Sequence, residues 1–473
     1  MTFTLRDDQI EDLAYLIKNP KVILGNEPGT GKTPTVCVYQ RHLWNTQKMG
    51  TIWVQPKSLL NKNRKEAYRF GQWENEDDVV IVDGTPDQVD DILKKPAKVW
   101  LMGFRRFQML QDEGRLPDNA RAFISDEHHK GFGGHESQQT GAMYDFMRGP
   151  GEIFVPMTGT IINGKLDTAY PAIQVISPEY YGTFKAFQNY HHINDMFTGK
   201  RIGFRNHAFL REILEYHGTY RKWSSIFGKR NVVFQVEYCD MESEQWSIYR
   251  EFEKNALVEL DKFFIDGSLP GVAFIRARQI LDHPNQFPDL SDPEGRKFVD
   301  IIPGKRSGKL ERIDLHLTDH AENGTPVVIF ASLVPQQLEI LRLAQSMGMK
   351  FGLLNGGVSA VNRAIQDEAF QAGELQGLVV SSDVADVGFN WQFWGPNKVE
   401  VSHCIFASLP YLDTTMFQAY CRFIRETRKQ PLRVTVLKYN DSRVEYRMSE
   451  IIRDKSANAK LVDPTLDLID LTG

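Results

Sequence analysis

Val22-Ile23-Leu24-Gly25-Asn26-Glu27-Pro28-Gly29-Thr30-Gly31-Lys32-Thr33 carries an apolar run through a glycine-containing turn into the second apolar segment Thr35-Val36-Cys37-Val38-Tyr39. A strand that stops at such a turn and passes at once into a helix leaves backbone N–H groups pointing outward, where they and the helix dipole can cradle a polyphosphate. Gly29, Thr30 and Gly31 form the turn. Lys32 supplies a positive charge to the β- and γ-phosphates, and the Thr33 hydroxyl a ligand for Mg²⁺. Pro34 falls in the first helical turn, where its missing N–H costs nothing. The common form of this loop opens with glycine; here Asn26 takes that place. Upstream, apolar positions 5, 10, 13 and 16 predict a short amphipathic helix, on which Gln9 can turn its amide to an adenine edge or to solvent.

About a hundred residues downstream, Ala122-Phe123-Ile124-Ser125 leads into Asp126-Glu127-His128-His129. An aspartate leaving a buried strand beside a phosphate loop can hold Mg²⁺ through water, while the adjacent glutamate orients or deprotonates the attacking water. His129 is placed to couple this loop to whatever crosses the cleft, whereas His128 reads as an ordinary loop histidine. Lys130 to His135 reads as a flexible loop. Further strands are expected at Thr51–Gln55, Val79–Val82, Val99–Met102 and Ile153–Met157. Lys57 and Ser58, after the first of them, can meet a phosphate backbone or open a solvated helix. The alternation of strands and helices makes 1–168 a parallel α/β nucleotide domain.

From Tyr180 to Trp223 the chain is rich in aromatic residues and mixed in charge. Asn231–Val236 predicts a strand, Ser243–Phe264 a long helix led by a capping serine, and Leu269–Leu281 another helix stopped by His283-Pro284. Residues 169–305 therefore read as a mainly helical elaboration. A second α/β unit follows Gly308-Lys309-Leu310, with strands at 327–330, 351–354, 377–380, 404–406 and 433–437. It has no second phosphate loop, so one nucleotide site is expected. In Gln418-Ala419-Tyr420-Cys421-Arg422-Phe423-Ile424-Arg425, two arginines three apart share a helical face. They can stabilise phosphate charge from an opposite domain or belong to a basic surface turn with Arg428, Lys429 and Arg433.

The chain of 473 residues has 56 basic and 61 acidic side chains, a formal charge of −5. That argues against a basic nucleic-acid coat, while leaving room for a local positive track. No apolar run reaches 18 residues, and the N-terminus lacks a basic region followed by an apolar one; a cytoplasmic protein without a membrane partner is expected. The four cysteines are scattered and read as buried thiols, and no H-E-x-x-H occurs, so the only metal expected is the one that arrives with the nucleotide.

Taken together these residues resemble superfamily 2 helicases and translocases, most closely the Swi/Snf-like branch, over nearly the whole chain. That family's D-E-M-G-L-G-K-T loop is similar to Asn26–Thr33, its P-x-S-L-L to Pro56–Leu60, its D-E-x-H to Asp126–His129, and its L-T-G-T-P-I-x-N-x-L to Met157–Leu166. L-R-Q-I-C-N-H-P resembles Ala277–Pro284, S-G-K-L matches Ser307–Leu310, and S-T-x-A-G-G-x-G-L-N resembles Ser381–Asn390. Gln418, Arg422 and Arg425 fall on Q-x-x-G-R-x-x-R. Asn26 for aspartate, Ile161 for proline and Cys421 for glycine depart from the pattern, and none removes a group needed to bind or hydrolyse ATP.

The resemblance implies two RecA-like parallel-sheet lobes, 1–168 and 306–473, with a mainly helical insertion at 169–305. ATP would meet Gly29, Gly31, Lys32 and Thr33, with Mg²⁺ near Thr33 and Asp126 and with Glu127 as base. Arg422 and Arg425 would reach in from the second lobe, near Gln418, a coupling residue. Thr158, Thr160, Ser381, Ser382 and Asn390 would contact the nucleic-acid backbone. The implied activity is that of an ATP-dependent translocase or remodeller on double-stranded or branched DNA, monomeric, with a possible DNA-bound protein as target. A compact prokaryotic or phage-type member is implied. A strand-separating helicase with a wedge from 169–305, and a nucleotide-gated binding module without turnover, are the competing readings.

Overall fold

Unbroken apolar runs bounded by glycine, proline or polar residues pair side by side into two parallel sheets. The computed structural model describes residues 3–463 except 261–262, 267–269, 291, 293, 295–296, 386–387 and 411–412. Contacts divide the chain into two units, Met1–Arg230 joined by the chain from Lys455, and Asn231–Asp454.

The first unit contains β1 (Ile23–Leu24), β2 (Gly50–Gln55), β3 (Val79–Ile81), β4 (Val99–Gly103), β5 (Ala120–Ser125), β6 (Ile153–Pro156) and β7 (Gly218–Thr219). Five of them pair in the order β3-β4-β2-β5-β6, all parallel. Beside β6 lies β1, joined through the bridges Lys21–Phe154 and Leu24–Met157, and β7 pairs with the other edge of β1. A parallel sheet is covered on both faces by its crossover helices, so its strands lose the alternation of a half-exposed sheet. Every residue of β2, β4 and β6 is accordingly buried.

On one face Trp53, Leu101, Ile124 and Val155 pack with Val36, Tyr39 and Leu43 of the helix that follows β1, and with Leu60 and Ala67 of the next. On the other, Phe123 is ringed by Phe107, Phe132, Phe146 and Phe154 at centroid distances of 4.9 to 5.8 Å. This aromatic core corrects the flexible loop expected at 130–135. His128–Phe132 is a short helix because Phe132 is drawn into the core.

The second unit holds β8 (Val232–Cys239), β9 (Val327–Phe330), β10 (Phe351–Leu354), β11 (Gly377–Val380), β12 (His403–Phe406) and β13 (Leu432–Tyr439). These six pair in parallel in the order β8-β13-β12-β9-β11-β10. The fold is thus α/β, with parallel sheets separated by helical segments.

The segment 169–305 is shared between the two units. Its first part pairs through β7 with the strand of the phosphate loop, and β8 runs along the full length of β13 as an edge strand of the second sheet. The long helix expected over Ser243–Phe264 stops at Asn255, where Ala256 turns left-handed at φ 52°. A hairpin of Leu257–Leu260 with Phe263–Asp266 follows. Its cap is Glu242, whose carboxylate accepts from the N–H groups of Glu244 and Gln245, rather than Ser243, whose hydroxyl donates to that carboxylate. The next helix is Pro270–Asp282; the expected starting residue, Leu269, lies outside the described residues. All four cysteines are buried and free. Among the described residues no helix is long and apolar enough to cross a membrane.

Candidate nucleotide-binding site

The turn after β1 is built from its glycines and tied at several points. Gly29 and Gly31 take φ of +84° and +95°, values that L side chains rarely adopt. At Gly31 a Cβ would also lie 2.4 Å from Gln9 Nε2. Gln9 is buried rather than solvent-facing. Its Nε2 donates to the Gly31 carbonyl at 3.0 Å, and its Oε1 accepts from the Arg6 N–H at 3.0 Å. The amphipathic helix α1 (Asp7–Lys18) is thereby pinned to the loop. Lys32 opens α2 (Lys32–Gln47), with Thr33 and Pro34 in its first turn. Its ammonium donates to the carbonyls of Asn26 at 2.6 Å and Glu27 at 3.3 Å, folding the loop around the charge.

Sequence reasoning missed the layer behind this loop. Asn26 Nδ2 donates to Asp12 Oδ2 at 2.6 Å, and Asn26 Oδ1 accepts from the Arg221 N–H at 2.9 Å. The Arg221 guanidinium in turn donates to Asp12 at 2.7 Å. Burial raises the Asp12 carboxyl above its ordinary value while Arg221 works against that shift. Glu27 is also buried; its Oε2 accepts from the Trp223 N–H at 2.5 Å and the Arg230 guanidinium at 2.9 Å. Residues 217–221 run parallel to the loop's strand, and Glu27 N–H donates to the Arg221 carbonyl. The signal was the buried-type pairing of an acid and arginines far apart in the sequence, which no local pattern marks.

This layer explains why asparagine stands at position 26. An aspartate there would set two carboxylates against one another in a buried place. Asn26→Asp is expected to destabilise the first unit by about 1–3 kcal/mol, measured by urea denaturation, with Asp12→Asn restoring most of the loss. Equal stability of the single variant would show that Asp12 is not its constraint.

At the end of β5, two places along the sheet from β1, lies the half-buried Asp126. Burial, then the neighbouring Glu127, push its carboxyl up to about 6, against the opposing charge of Lys32 and a hydrogen bond of 3.3 Å from Asn63. Glu127 adopts φ of +48°, and its N–H donates to Asp126 Oδ1 at 3.0 Å. Glu127 Oε2 is buried and lies 3.8 Å from His129 Nδ1. Two adjacent carboxylates at the end of a strand are a donor set that a hard divalent cation suits. Among the described residues no cluster of three or more His, Cys, Asp or Glu is arranged to hold a metal.

His129 Nδ1 also lies 2.9 Å from Thr158 Oγ1, which accepts from the Thr160 N–H at 3.0 Å. Burial, helped by Lys130, lowers His129 to about 3, so the ring is neutral at physiological pH. Thr158 follows β6, the strand between β1 and β5, and its N–H donates to the Leu24 carbonyl. The side chains of Thr158 and Thr160, expected on a nucleic-acid backbone, are buried. Thr158 is held by His129, because the strand order sets its loop beside both carboxylates. His128 is not a loop histidine; it is buried 2.7 Å from Ser125 Oγ, and burial lowers it to about 3. Lys57 and Ser58 are exposed in a one-turn 3₁₀ helix, with Lys57 paired to Asp83 at 2.9 Å.

In the second unit, Ser381 and Ser382 lie just past β11 and are buried, while Asn390 is exposed. Asp386 and Val387 of the same stretch lie outside the described residues. Gln418 is buried in the helix Asp413–Tyr420. That helix ends before the arginines, so they do not share a helical face as spacing suggested. Cys421–Phe423 is a 3₁₀ turn, Ile424 is extended, and the Arg422 carbonyl accepts from the Trp391 N–H at 2.9 Å instead of continuing the helix. Arg425 donates to the carbonyls of Cys421 at 2.7 Å and Ile424 at 2.6 Å, satisfying groups that the helix end leaves open. Phe132 and Trp391 are both core residues; the Trp391 indole N–H donates to Asp367 at 2.7 Å.

No family model matches the chain, and no curated protein matches it. Among solved structures it is similar to the Sulfolobus solfataricus SWI2/SNF2 ATPase core in complex with dsDNA, at 16% identity and a TM-score of 0.43, covering 99% of this chain and 98% of that one.

Proposed function

We propose that the chain is a nucleic-acid-dependent ATPase of superfamily 2 type, Swi/Snf-like, that couples turnover to movement on double-stranded or branched DNA. The observation that supports it is the placing of Lys32 beside Asp126 and Glu127 at the ends of parallel strands, with Thr158 and His129 between. On nucleotide binding the Lys32 ammonium would exchange the carbonyls of Asn26 and Glu27 for phosphate oxygens, and the N–H groups opening α2 would face the same oxygens. Thr33 and Asp126 would hold Mg²⁺, which when bound would neutralise charge on the phosphate oxygens. Glu127 Oε2 would take the proton of the attacking water. His129 would carry the change at Glu127 to Thr158, and so to the loop after β6.

Two RecA-like lobes closing around the nucleotide would bring Arg422 and Arg425 to the γ-phosphate, with Gln418 coupling their segment to closure. Ser381, Ser382 and Asn390, with Lys57 and Ser58, would meet the DNA backbone. Backbone contact makes binding salt-dependent and weakly sequence-selective.

ATP turnover measured alone and with duplex, single-stranded or forked DNA tests this reading. Stimulation by duplex or forked DNA is the expected result; absence of turnover in the wild type under every condition would overturn it. Arg425→Ala is expected to lower turnover by about 10²–10³-fold, with nucleotide affinity retained. A rate near that of the wild type would remove the proposed role of Arg425.

A further inference from the structure

The hairpin of His192–Asn194 with Arg201–Phe204 ends in a turn whose backbone is fixed and whose largest side chains are bare. Asp195 Oδ1 accepts from the N–H of Phe197 at 3.1 Å, the N–H of Thr198 at 2.7 Å and the Thr198 hydroxyl at 2.8 Å. The Asp195 N–H donates to the Lys200 carbonyl, and the Gly199 N–H to that of Asp195. These bonds hold the Asp195 carboxyl below its ordinary value. Built on that turn, Met196 is 96% and Phe197 98% exposed. Among the described residues no other large apolar side chain exceeds the 74% of Tyr216.

The stem is anchored to the nucleotide-binding unit. Asp167 accepts from the Arg201 guanidinium and lies 2.6 Å from His192 Nε2. Arg205 ties the base, donating to the carbonyls of Tyr190 at 3.1 Å and Asn189 at 2.7 Å. Asp167 directly follows Leu166, the last residue of the stretch that starts at the Thr158 loop. A load on the tip is therefore delivered to the chain just beyond the loop that His129 holds.

Charge says what the tip faces. From 181 to 205 the chain has Lys185, Lys200, Arg201 and Arg205 against one acid, Asp195, in a protein of net charge −5; Arg201 is shared with Asp167 of the stem and Arg205 with its backbone, which leaves Lys185 and Lys200 as the cations beside the tip. That acid is turned inward to bond the turn. Paired large apolar side chains flanked by cations suit stacked bases bordered by phosphates, where methionine and phenylalanine can wedge into a base step.

We propose that Met196 and Phe197 form a wedge that seats against the terminal base pair of a forked DNA, giving the motor a strand-separating activity. The proposal rests on the reading above, that the chain is a DNA-dependent ATPase. Movement of the duplex toward the tip would unstack the pair that the two side chains cover.

The test uses the full chain and a forked DNA carrying 2-aminopurine at the junction. Wild type is expected to raise its fluorescence on binding and to displace the labelled strand with ATP. A Met196→Ser/Phe197→Ser variant is expected to bind the fork about tenfold more weakly, to lose the fluorescence rise, and to bind a blunt duplex as wild type does. A Met196→Leu/Phe197→Leu variant, which keeps the apolar tip, is expected to restore both signals. Because the tip is bare, neither variant removes packing, and thermal unfolding of each checks this. Fluorescence and displacement unchanged in the serine variant would overturn the wedge, while DNA-stimulated ATPase in the same samples would leave the motor reading standing. Equal weakening on fork and blunt duplex would also overturn it, as would a tip that captures a protein and leaves the fork signals untouched. Loss of all DNA-stimulated turnover in the wild type would overturn both readings.

Discussion

Glu127→Gln is expected to leave nucleotide binding in place and to lower turnover by about 10²–10⁴-fold. The amide has the size of the carboxylate but cannot accept a proton from water. Glu127 follows directly on Asp126 at the end of β5, with its backbone at φ +48° and Oε2 3.8 Å from His129 Nδ1. Lys32→Ala makes the opposite separation. It removes a charged hydrogen-bond donor worth about 1.5–3 kcal/mol, so nucleotide affinity is expected to fall by roughly 10- to 100-fold at saturating Mg²⁺. Fluorescent-nucleotide titration and single-turnover hydrolysis on the two variants check this. Turnover near wild type in Glu127→Gln would move the base elsewhere, and unchanged affinity in Lys32→Ala would deny the loop its phosphate.

Much of this site was legible because its parts are local. A glycine turn between an apolar run and a helix, and an acidic pair ending another apolar run, announce themselves within a few residues. The strands of the two sheets were legible for the same reason, since buried parallel strands are continuous apolar runs, and those at 327–330, 351–354 and 377–380 fall where the sequence put them.

What local pattern could not supply was partnership at a distance. Gly218-Thr219 has no periodicity, yet it pairs with β1, and the chain beyond it brings Arg221 and Arg230 to the loop. Val232–Cys239 reads as a strand in isolation, but its place at the edge of the second sheet depends on Leu432–Tyr439, some two hundred residues later. The apolar residues after Asn255 fit a helix or a strand alike, and tertiary pairing decided for the hairpin. Helical spacing of Arg422 and Arg425 failed because the N–H of Trp391, distant in sequence, takes the carbonyl of Arg422. The burial of Thr158 and Thr160, and the contact of Thr158 with His129, likewise depend on residues distant in sequence.

Lys309→Ala is expected to cost the second unit about 3–5 kcal/mol, the range for removing one partner of a buried ion pair. Two stretches of the second unit, Ala277–Pro284 and Ser307–Leu310, meet through this residue. The Lys309 ammonium is fully buried, 2.8 Å from Asp282 Oδ1 and in contact with Glu445. Arg278 lies 3.6 Å from the other Asp282 oxygen, and Glu445 Oε2 accepts from the Tyr439 N–H at 2.7 Å. Gly308 lets the chain approach, since a Cβ there would lie 1.9 Å from the Asp240 carbonyl oxygen. Burial opposes the charge on Lys309, but Asp282 and Glu445 outweigh it and raise its affinity for the proton above the ordinary value of 10.5. A raised lysine stabilises the fold fully below 10.5, and that contribution is lost only as pH climbs from there through the folded value. The penalty should therefore be constant from pH 6 to 9. Alanine leaves two buried carboxylates facing one another, so adding Asp282→Asn and Glu445→Gln to Lys309→Met should recover part of the stability. Urea titration followed by hydrogen exchange in the helix Gly308–Glu322 reads the second unit alone. Unchanged protection there in Lys309→Ala would mean that packing around Tyr439 and Gln245, not the ion pair, joins the two stretches.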